Sequence, residues 1–259
     1  MSQAPVVDPP RPWPQNLAAA IPPHRRNPAG RAFDHVETWI FDLDNTLYPA
    51  SCNLFAQVDR RMGEFIANAI GVPFAHARHL QKAYYRQFGT TLAGLMQVHK
   101  MQPEPFLAYV HDIDLSALPQ LPRLASAIER LGGRRLIFTN GSRKHAENVA
   151  AKIGVLHLFE DICDIAALDF VPKPERAAFD RMAARHAIAP ASAAMFDDMP
   201  HNLENASALG MTTVLVHSDY IDHPAQIGVS NWRELPPHID HLTHDLTDFI
   251  ATEILCRGQ

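Results

Sequence analysis

The sequence predicts an α/β protein built on a parallel β-sheet. Short runs of β-prone apolar residues alternate with stretches in which apolar residues recur at helical spacing. The runs are apolar throughout, which is typical of strands that are buried on both faces. One interval, residues 51–118, has helical spacing alone. Together these observations predict a Rossmann-like three-layer core with an inserted α-helical domain.

The N-terminal segment differs from the rest in its proline content. Eight of the 21 prolines lie before residue 30. Proline lacks a backbone N–H group and biases the residue before it toward extended conformations. We therefore expect residues 1–34 to form a flexible tail.

The predicted core comprises residues 35–50 and 119–259. Its strands are predicted at 38–41, 135–138, 193–196 and 212–216, with a weaker candidate at 161–165. Helical spacing predicts core helices at 124–131, 144–153, 174–186 and 201–209, and a closing helix at 240–255. Three of these helices are followed by a glycine, which is typical of a helix end.

The insert, residues 51–118, follows the first strand directly. Apolar residues at helical spacing predict four helices in it, at 54–69, 75–88, 92–99 and 105–110. The insert therefore forms a helical unit between the first and second strands of the sheet.

Composition excludes several classes of protein. With 23 basic and 28 acidic side chains, a net charge of −5 argues against a partner that is a nucleic acid polymer. No apolar run approaches the roughly 18–20 residues that span a bilayer, so we expect no membrane partner. Three cysteines without a CxxC pair and the lack of a secretory pattern favour a cytoplasmic protein. The 15 histidines lack the ligand spacings of zinc sites.

Polar residues follow the predicted strands at their carboxyl ends, where a parallel sheet places its chemistry. Asp42 and Asp44 follow the first strand, and Thr139, Asn140 and Gly141 follow the second. Two further groups are Lys173, just before a helix, and the pair Asp197 and Asp198.

Four carboxylates that converge on one site repel one another unless a cation offsets their charge. A hard divalent cation with oxygen ligands, Mg²⁺ above all, is the cofactor that this pattern predicts. The Lys173 ammonium, the Thr139 hydroxyl and the amides of Asn140 and Gly141 add the donors that a phosphoryl group needs.

The order of these motifs resembles the haloacid dehalogenase (HAD) superfamily of phosphotransferases. DxDxT, TNG, PKP and DD occur in sequence between residues 39 and 217, each on the expected element. The resemblance and the chemistry make Asp42 the nucleophile that forms an aspartyl phosphate and Asp44 the general acid and base. Thr139 and Lys173 would hold the phosphoryl oxygens. Asn202, four residues after Asp198, would cap or brace the loop that follows the Asp197 and Asp198 pair.

The same resemblance implies a set of metal ligands. They are Asp42, the backbone carbonyl of Asp44, and either Asp197 or Asp198, between which the sequence does not decide. An acidic residue at position 44 favours phosphoryl transfer to water over carbon–halogen chemistry, because the dehalogenase branch needs no acid there.

The insert resembles the helical cap of this superfamily. The opening residues 42–48, the stretch 85–95 and the segment 109–112 are similar to the pyrimidine 5′-nucleotidase branch. This resemblance implies a small phosphorylated substrate, above all a pyrimidine nucleoside 5′-monophosphate. The candidate substrate residues in the cap are Tyr85, Arg86, Thr90, Thr91 and His99.

Three other functions are compatible with parts of the pattern. A phosphatase of another small metabolite, such as a sugar phosphate, would use the same core, and a phosphomutase would need basic groups that the cap also has. A receiver-type signalling module also combines acidic residues, threonine and lysine. Its acidic pair precedes the phosphoacceptor, whereas here the pair comes last, which argues against this class. The oligomeric state is left open.

Overall fold

The computed structural model describes residues 24–218 and 228–256. Within them, seven strands form one sheet in the order β1-β7-β6-β5-β2-β3-β4. All neighbouring pairs are parallel except β1 with β7, which is antiparallel. The strands are β1 (His24–Arg26), β2 (Thr38–Phe41), β3 (Arg134–Phe138), β4 (Asp161–Cys163), β5 (Ala193–Asp197), β6 (Thr212–Val216) and β7 (His241–Thr243).

Nine α-helices occur in the described part of the chain. They are α1 (Leu54–Ile70), α2 (Phe74–Phe88), α3 (Thr91–His99), α4 (Pro103–Val110), α5 (Pro122–Glu129), α6 (Arg143–Ile153), α7 (Arg176–Arg185), α8 (Pro200–Ala208) and α9 (Leu246–Phe249). Among these helices, none combines the length and the apolar character needed to cross a membrane.

The central strands are buried on both faces, and alternate side chains enter two separate cores. Trp39 and Phe41 pack with residues of α5, α6 and α9 on one side of the sheet. Ile40 packs with residues of α7 and α8 on the other side. Successive side chains of a strand point to opposite faces, and here both faces are covered by helices. Apolar residues therefore occupy successive positions of the strand. The predicted three-layer α/β fold is confirmed.

The four helices α1–α4 follow β2 and precede β3 in the chain, and they pack around their own apolar cluster. Its buried members include Val58, Ile66, Tyr84 and Phe106. Ile165, which follows β4, belongs to the same cluster and joins the insert to the core. The helices occupy the interval in which the sequence shows helical spacing alone.

The expected tail of residues 1–34 is too long. Residues 1–23 lie outside the described residues, but 24–26 form the edge strand β1, which pairs with β7. Arg31 then donates hydrogen bonds to Asp240, from its backbone N–H at 2.9 Å and from Nη1 at 3.1 Å. Because a proline count carries no information about such long-range partners, the sequence could not place this end of the tail.

The predicted closing helix at 240–255 is also wrong in its first part. Residues 241–243 form β7, which pairs in parallel with β6. Asp245 then caps α9 by accepting a hydrogen bond from the Asp248 N–H. The helical spacing is real from residue 246 onward, but pairing with an exposed sheet edge outweighs it before that point.

Candidate active site

The site lies at the carboxyl edge of three neighbouring strands. β2 runs between β3 and β5 in the sheet, and all three are parallel. Their ends therefore bring Asp42, Thr139 and Asp197 to one edge, as the sequence predicts. All three side chains are buried.

Lys173 lies at the centre of this edge with its ammonium group buried. Its Nζ donates hydrogen bonds to Asp42 Oδ1 at 2.7 Å, to Asp197 Oδ2 at 2.8 Å and to the Phe138 carbonyl at 2.8 Å. Burial opposes the charged form, but the carboxylates of Asp197 and Asp42 outweigh it and raise the pKa of Lys173 above its ordinary value. The lysine is thus a fixed cation between two aspartates.

Asp197 is held by protein donors on both oxygens. Oδ1 accepts from the Met199 N–H at 2.8 Å and from Asn202 Nδ2 at 3.0 Å. Oδ2 accepts from Lys173 and from Asn202 Nδ2 at 3.1 Å. Asn202, which was expected to brace the following loop, thus contacts Asp197 at the end of β5. Asp198 Oδ2 accepts from Asn45 Nδ2 at 3.4 Å.

Carboxylate oxygens of Asp42, Asp197 and Asp198 lie within 4.8 Å of one another. Burial, together with the charges of Asp197 and Asp44, raises the pKa of Asp42 to about 7 despite the nearby lysine. Burial and the charges of Asp42 and Asp197 likewise raise the pKa of Asp198 well above its ordinary value. Negative charge exceeds positive charge here, and oxygen donors at this separation fit a hard divalent cation.

Asp44 has different surroundings from Asp42, although only one residue separates them. Its Oδ1 accepts hydrogen bonds from Tyr48 Oη at 2.6 Å and from His145 Nε2 at 3.0 Å. Burial by itself raises the pKa of this carboxyl, but the charge and hydrogen bond of His145 and the hydrogen bond of Tyr48 lower it to about 2. The site therefore holds two carboxyl groups whose pKa values are shifted in opposite directions, upward for Asp42 and downward for Asp44.

The loop after β3 links these groups. The Gly141 N–H donates to Thr139 Oγ1 at 2.9 Å. The side chain of Asn140 donates to the Lys173 carbonyl at 3.0 Å and accepts from the Lys173 N–H at 2.8 Å. Asn140, whose backbone amide was predicted to bind phosphate, uses its side chain to fix the backbone of Lys173.

A model of the haloacid dehalogenase-like hydrolases matches residues 36–210, which is more than half of the chain. The chain belongs to this family. The hydrolase is 26% identical over 198 residues to Phosphate metabolism protein 8 of Saccharomyces cerevisiae, a match that covers 69% of the chain. It spans only 61% of the length of that relative.

Solved structures show the same fold at low identity. A 2-haloacid dehalogenase from Pseudomonas syringae pv. Tomato has a TM-score of 0.53 at 15% identity, covering 86% of the hydrolase and 100% of the other chain. L-2-haloacid dehalogenase from Xanthobacter autotrophicus has a TM-score of 0.51 at 17% identity, covering 86% and 99%. At these identities the likeness concerns the fold alone.

Three of the five cap candidates have partners within the cap itself. Thr90 caps α3 by accepting from the Ala93 N–H, the buried Thr91 donates to the Gln81 carbonyl, and His99 pairs with Tyr84 Oη at 2.6 Å. These three contacts lie within the cap, and Arg86 is exposed.

Tyr85 is the cap candidate whose surroundings connect it to the site. It is 38% exposed, and burial, with the charges of Asp198 and Asp197, raises the pKa of its hydroxyl. The side chain thus lies within electrostatic reach of the aspartate pair while one part of it faces solvent.

Sequence reasoning missed two residues that hold Asp44. Tyr48 follows it by four positions, and His145 lies on the buried face of α6 beside Ala146 and Val149. A histidine at such an apolar position needs a polar partner, because an unpaired polar group is costly to bury. That signal was present, but it did not identify Asp44 as the partner.

Proposed function

We propose that the hydrolase is a Mg²⁺-dependent phosphomonoesterase that acts through an aspartyl phosphate. The observation that carries the proposal is the contrast between Asp42, paired with Lys173, and Asp44, paired with His145 and Tyr48. Two neighbouring carboxyl groups with different partners can divide the roles of nucleophile and of acid and base between them. The similarity to a phosphate metabolism protein supports phosphoryl chemistry.

The residues that would hold Mg²⁺ are Asp42, the backbone carbonyl of Asp44, and Asp198. We propose Asp198 rather than Asp197 as the direct ligand, because each oxygen of Asp197 already accepts two protein hydrogen bonds. Asp197 then fixes Lys173. When bound, the cation supplies positive charge that stabilises the phosphoryl oxygens and the ionised form of Asp42.

The residues of the chain account for both halves of the reaction. A carboxylate oxygen of Asp42 forms a bond to phosphorus as the bond to the leaving oxygen breaks. The negative charge of the bound phosphoryl group raises the pKa of Asp44 above its value of about 2, so that this carboxyl can hold a proton and give it to the leaving oxygen. Asp44 then takes a proton from water, whose oxygen attacks phosphorus and releases phosphate and free Asp42. Lys173 and Thr139 hold the phosphoryl oxygens through both steps.

The cap would exclude water and select small substrates. Tyr85 supports a pyrimidine nucleoside 5′-monophosphate as the substrate, because a partly exposed aromatic ring within electrostatic reach of Asp197 and Asp198 can stack on a base. The resemblance of the cap to pyrimidine 5′-nucleotidases favours the same choice. Sugar phosphates are the main alternative.

The test is phosphate release from a panel of nucleoside monophosphates and sugar phosphates, with Mg²⁺ and with EDTA. We expect turnover with Mg²⁺ alone, the highest kcat/KM for pyrimidine nucleotides, and none for Asp42→Asn. Exposed Asp112 provides the matched control Asp112→Asn, which should match the wild type. Equal turnover by the wild type and Asp42→Asn would refute the proposal. Preference for sugar phosphates would overturn only the substrate.

A further inference from the structure

Two histidines lie where the cap, the loop after β3 and Asp44 meet. His111 follows α4 at the end of the cap, and His145 belongs to α6 of the core. Their rings stack with centroids 4.3 Å apart and planes 13° from parallel. His145 then contacts Asp44 Oδ1 through Nε2 at 3.0 Å.

Both rings also pack against the loop that carries Thr139. The hydroxyl of Ser142 lies 2.9 Å from His111 Nδ1, which ties this cap residue to the core. A Cβ atom at Gly141 would lie 3.3 Å from the ring of His145 and 3.7 Å from that of His111. The stack is therefore in van der Waals reach of the loop backbone, and a glycine makes room for it.

We propose that His145 is a positioning residue for Asp44 and that His111 makes this positioning depend on the cap. Asp44 Oδ1 accepts from Tyr48 and from His145, so the two donors together fix the rotation of the carboxyl group. Tyr48 belongs to the same loop as Asp44, whereas His145 comes from another element. A cap that moves away from the core would withdraw His111 from the ring of His145.

This inference rests on the proposed function, in which Asp44 protonates the leaving oxygen. An alkyl phosphate, such as a nucleoside 5′-monophosphate, needs that proton, whereas p-nitrophenyl phosphate has a leaving group that is stable as an anion. The kcat/KM values cover the steps up to formation of the phosphoenzyme. Their ratio for the two substrates therefore reports on Asp44 as an acid.

The variants His145→Gln and His145→Asn make the sharpest pair. Glutamine reaches about as far as Nε2 of histidine and keeps an N–H donor for Asp44, whereas asparagine is too short. We expect His145→Asn to lower kcat/KM for the alkyl phosphate by about ten- to a hundredfold, and for p-nitrophenyl phosphate by less than about threefold. His145→Gln should recover most of the loss. His111→Ala should show a smaller loss with the same selectivity.

His186 provides a matched control, since it is a buried histidine whose carbonyl binds Arg134 at the opposite end of β3. His186→Gln should leave both kcat/KM values unchanged. Equal losses on the two substrates, or equal losses for His145→Gln and His145→Asn, would overturn the inference and leave His145 a structural residue. The proposed function fails separately, if Asp42→Asn retains activity on both substrates.

Discussion

At the scale of single residues, Lys173 stabilises the carboxylates of the site although its one positive charge does not neutralise them all. One ammonium group contacts two aspartates, while Asp198 and Asp44 add further carboxylates nearby. Removing one partner of a buried ion pair costs more than the pair itself contributes, because the other charge is left unpaired. We therefore expect Lys173 to stabilise the folded carboxyl edge of the sheet as well as to bind the substrate.

Gly141 provides a test of how tightly the loop after β3 is packed. A Cβ atom there would lie 3.2 Å from Thr139 Oγ1 and 3.3 Å from the ring of His145. Gly141→Ala should push both groups by a few tenths of an ångström and lower kcat/KM about tenfold or more, since small misplacements are costly in catalysis. Gly132→Ala is the control, because its Cβ would meet nothing within 4 Å. Wild-type kcat/KM for Gly141→Ala would contradict this packing.

At the scale of elements, the sequence predicts what local patterns determine. Strands that are apolar on both faces and helices with one apolar face were predictable, as β2 and α6 show. Strand β1 was not, because its residues pair only with β7, more than 200 positions away. The site follows the same rule: Asp42 and Lys173 stand in motifs, whereas His145 is recognised only by its contact with Asp44.

The attachment of the segment after β1 can be measured at Asp240. This buried carboxylate accepts hydrogen bonds from the backbone N–H and Nη1 of Arg31 and from the backbone N–H of Thr213. Asp240→Ala leaves the backbone N–H groups of Arg31 and Thr213 without this acceptor and should lower the free energy of unfolding by about 2–3 kcal/mol. Urea unfolding measures this, and Arg60→Ala, which breaks an exposed ion pair, should change it by less than about 1 kcal/mol. Equal effects would show that the attachment contributes little.

At the scale of the whole molecule, the carboxylates make stability depend on pH when metal is removed. The pKa of Asp42 is about 7 in the fold, against an ordinary 3.8, so the native state binds the extra proton between these values. Its contribution to stability therefore falls as pH rises from about 4 to 7. Asp44, with a pKa of about 2, acts in the opposite sense, and its contribution is lost only below pH 4.

Urea unfolding in EDTA at pH 5 and pH 7.5 tests the first of these effects. Asp42→Asn removes the titrating group, so the difference in unfolding free energy between this variant and the wild type should grow in favour of the variant as pH rises. Asp112→Asn, at an exposed position, should show no such trend. A difference that stays constant with pH would contradict the raised pKa of Asp42.

Metal binding should then stabilise the whole fold, because the cation offsets charges that the core otherwise buries at a cost. A ligand at 100 times its Kd that binds only the native state adds about 2.7 kcal/mol. For a chain of this size, each kcal/mol raises Tm by about 2–4 °C. We therefore expect Mg²⁺ to raise Tm by about 5–10 °C over EDTA.

Asp198→Asn should make the variant the more stable protein in EDTA and the wild type the more stable protein with Mg²⁺. In EDTA the variant should have a higher Tm than the wild type, because it removes one of the mutually repelling buried carboxylates near Asp42. With Mg²⁺ it should show little further rise, because the cation has lost a ligand, and the wild type becomes the more stable protein. A lower Tm in EDTA would mean that Asp198 stabilises the fold by itself. An undiminished Mg²⁺ shift would place the cation elsewhere.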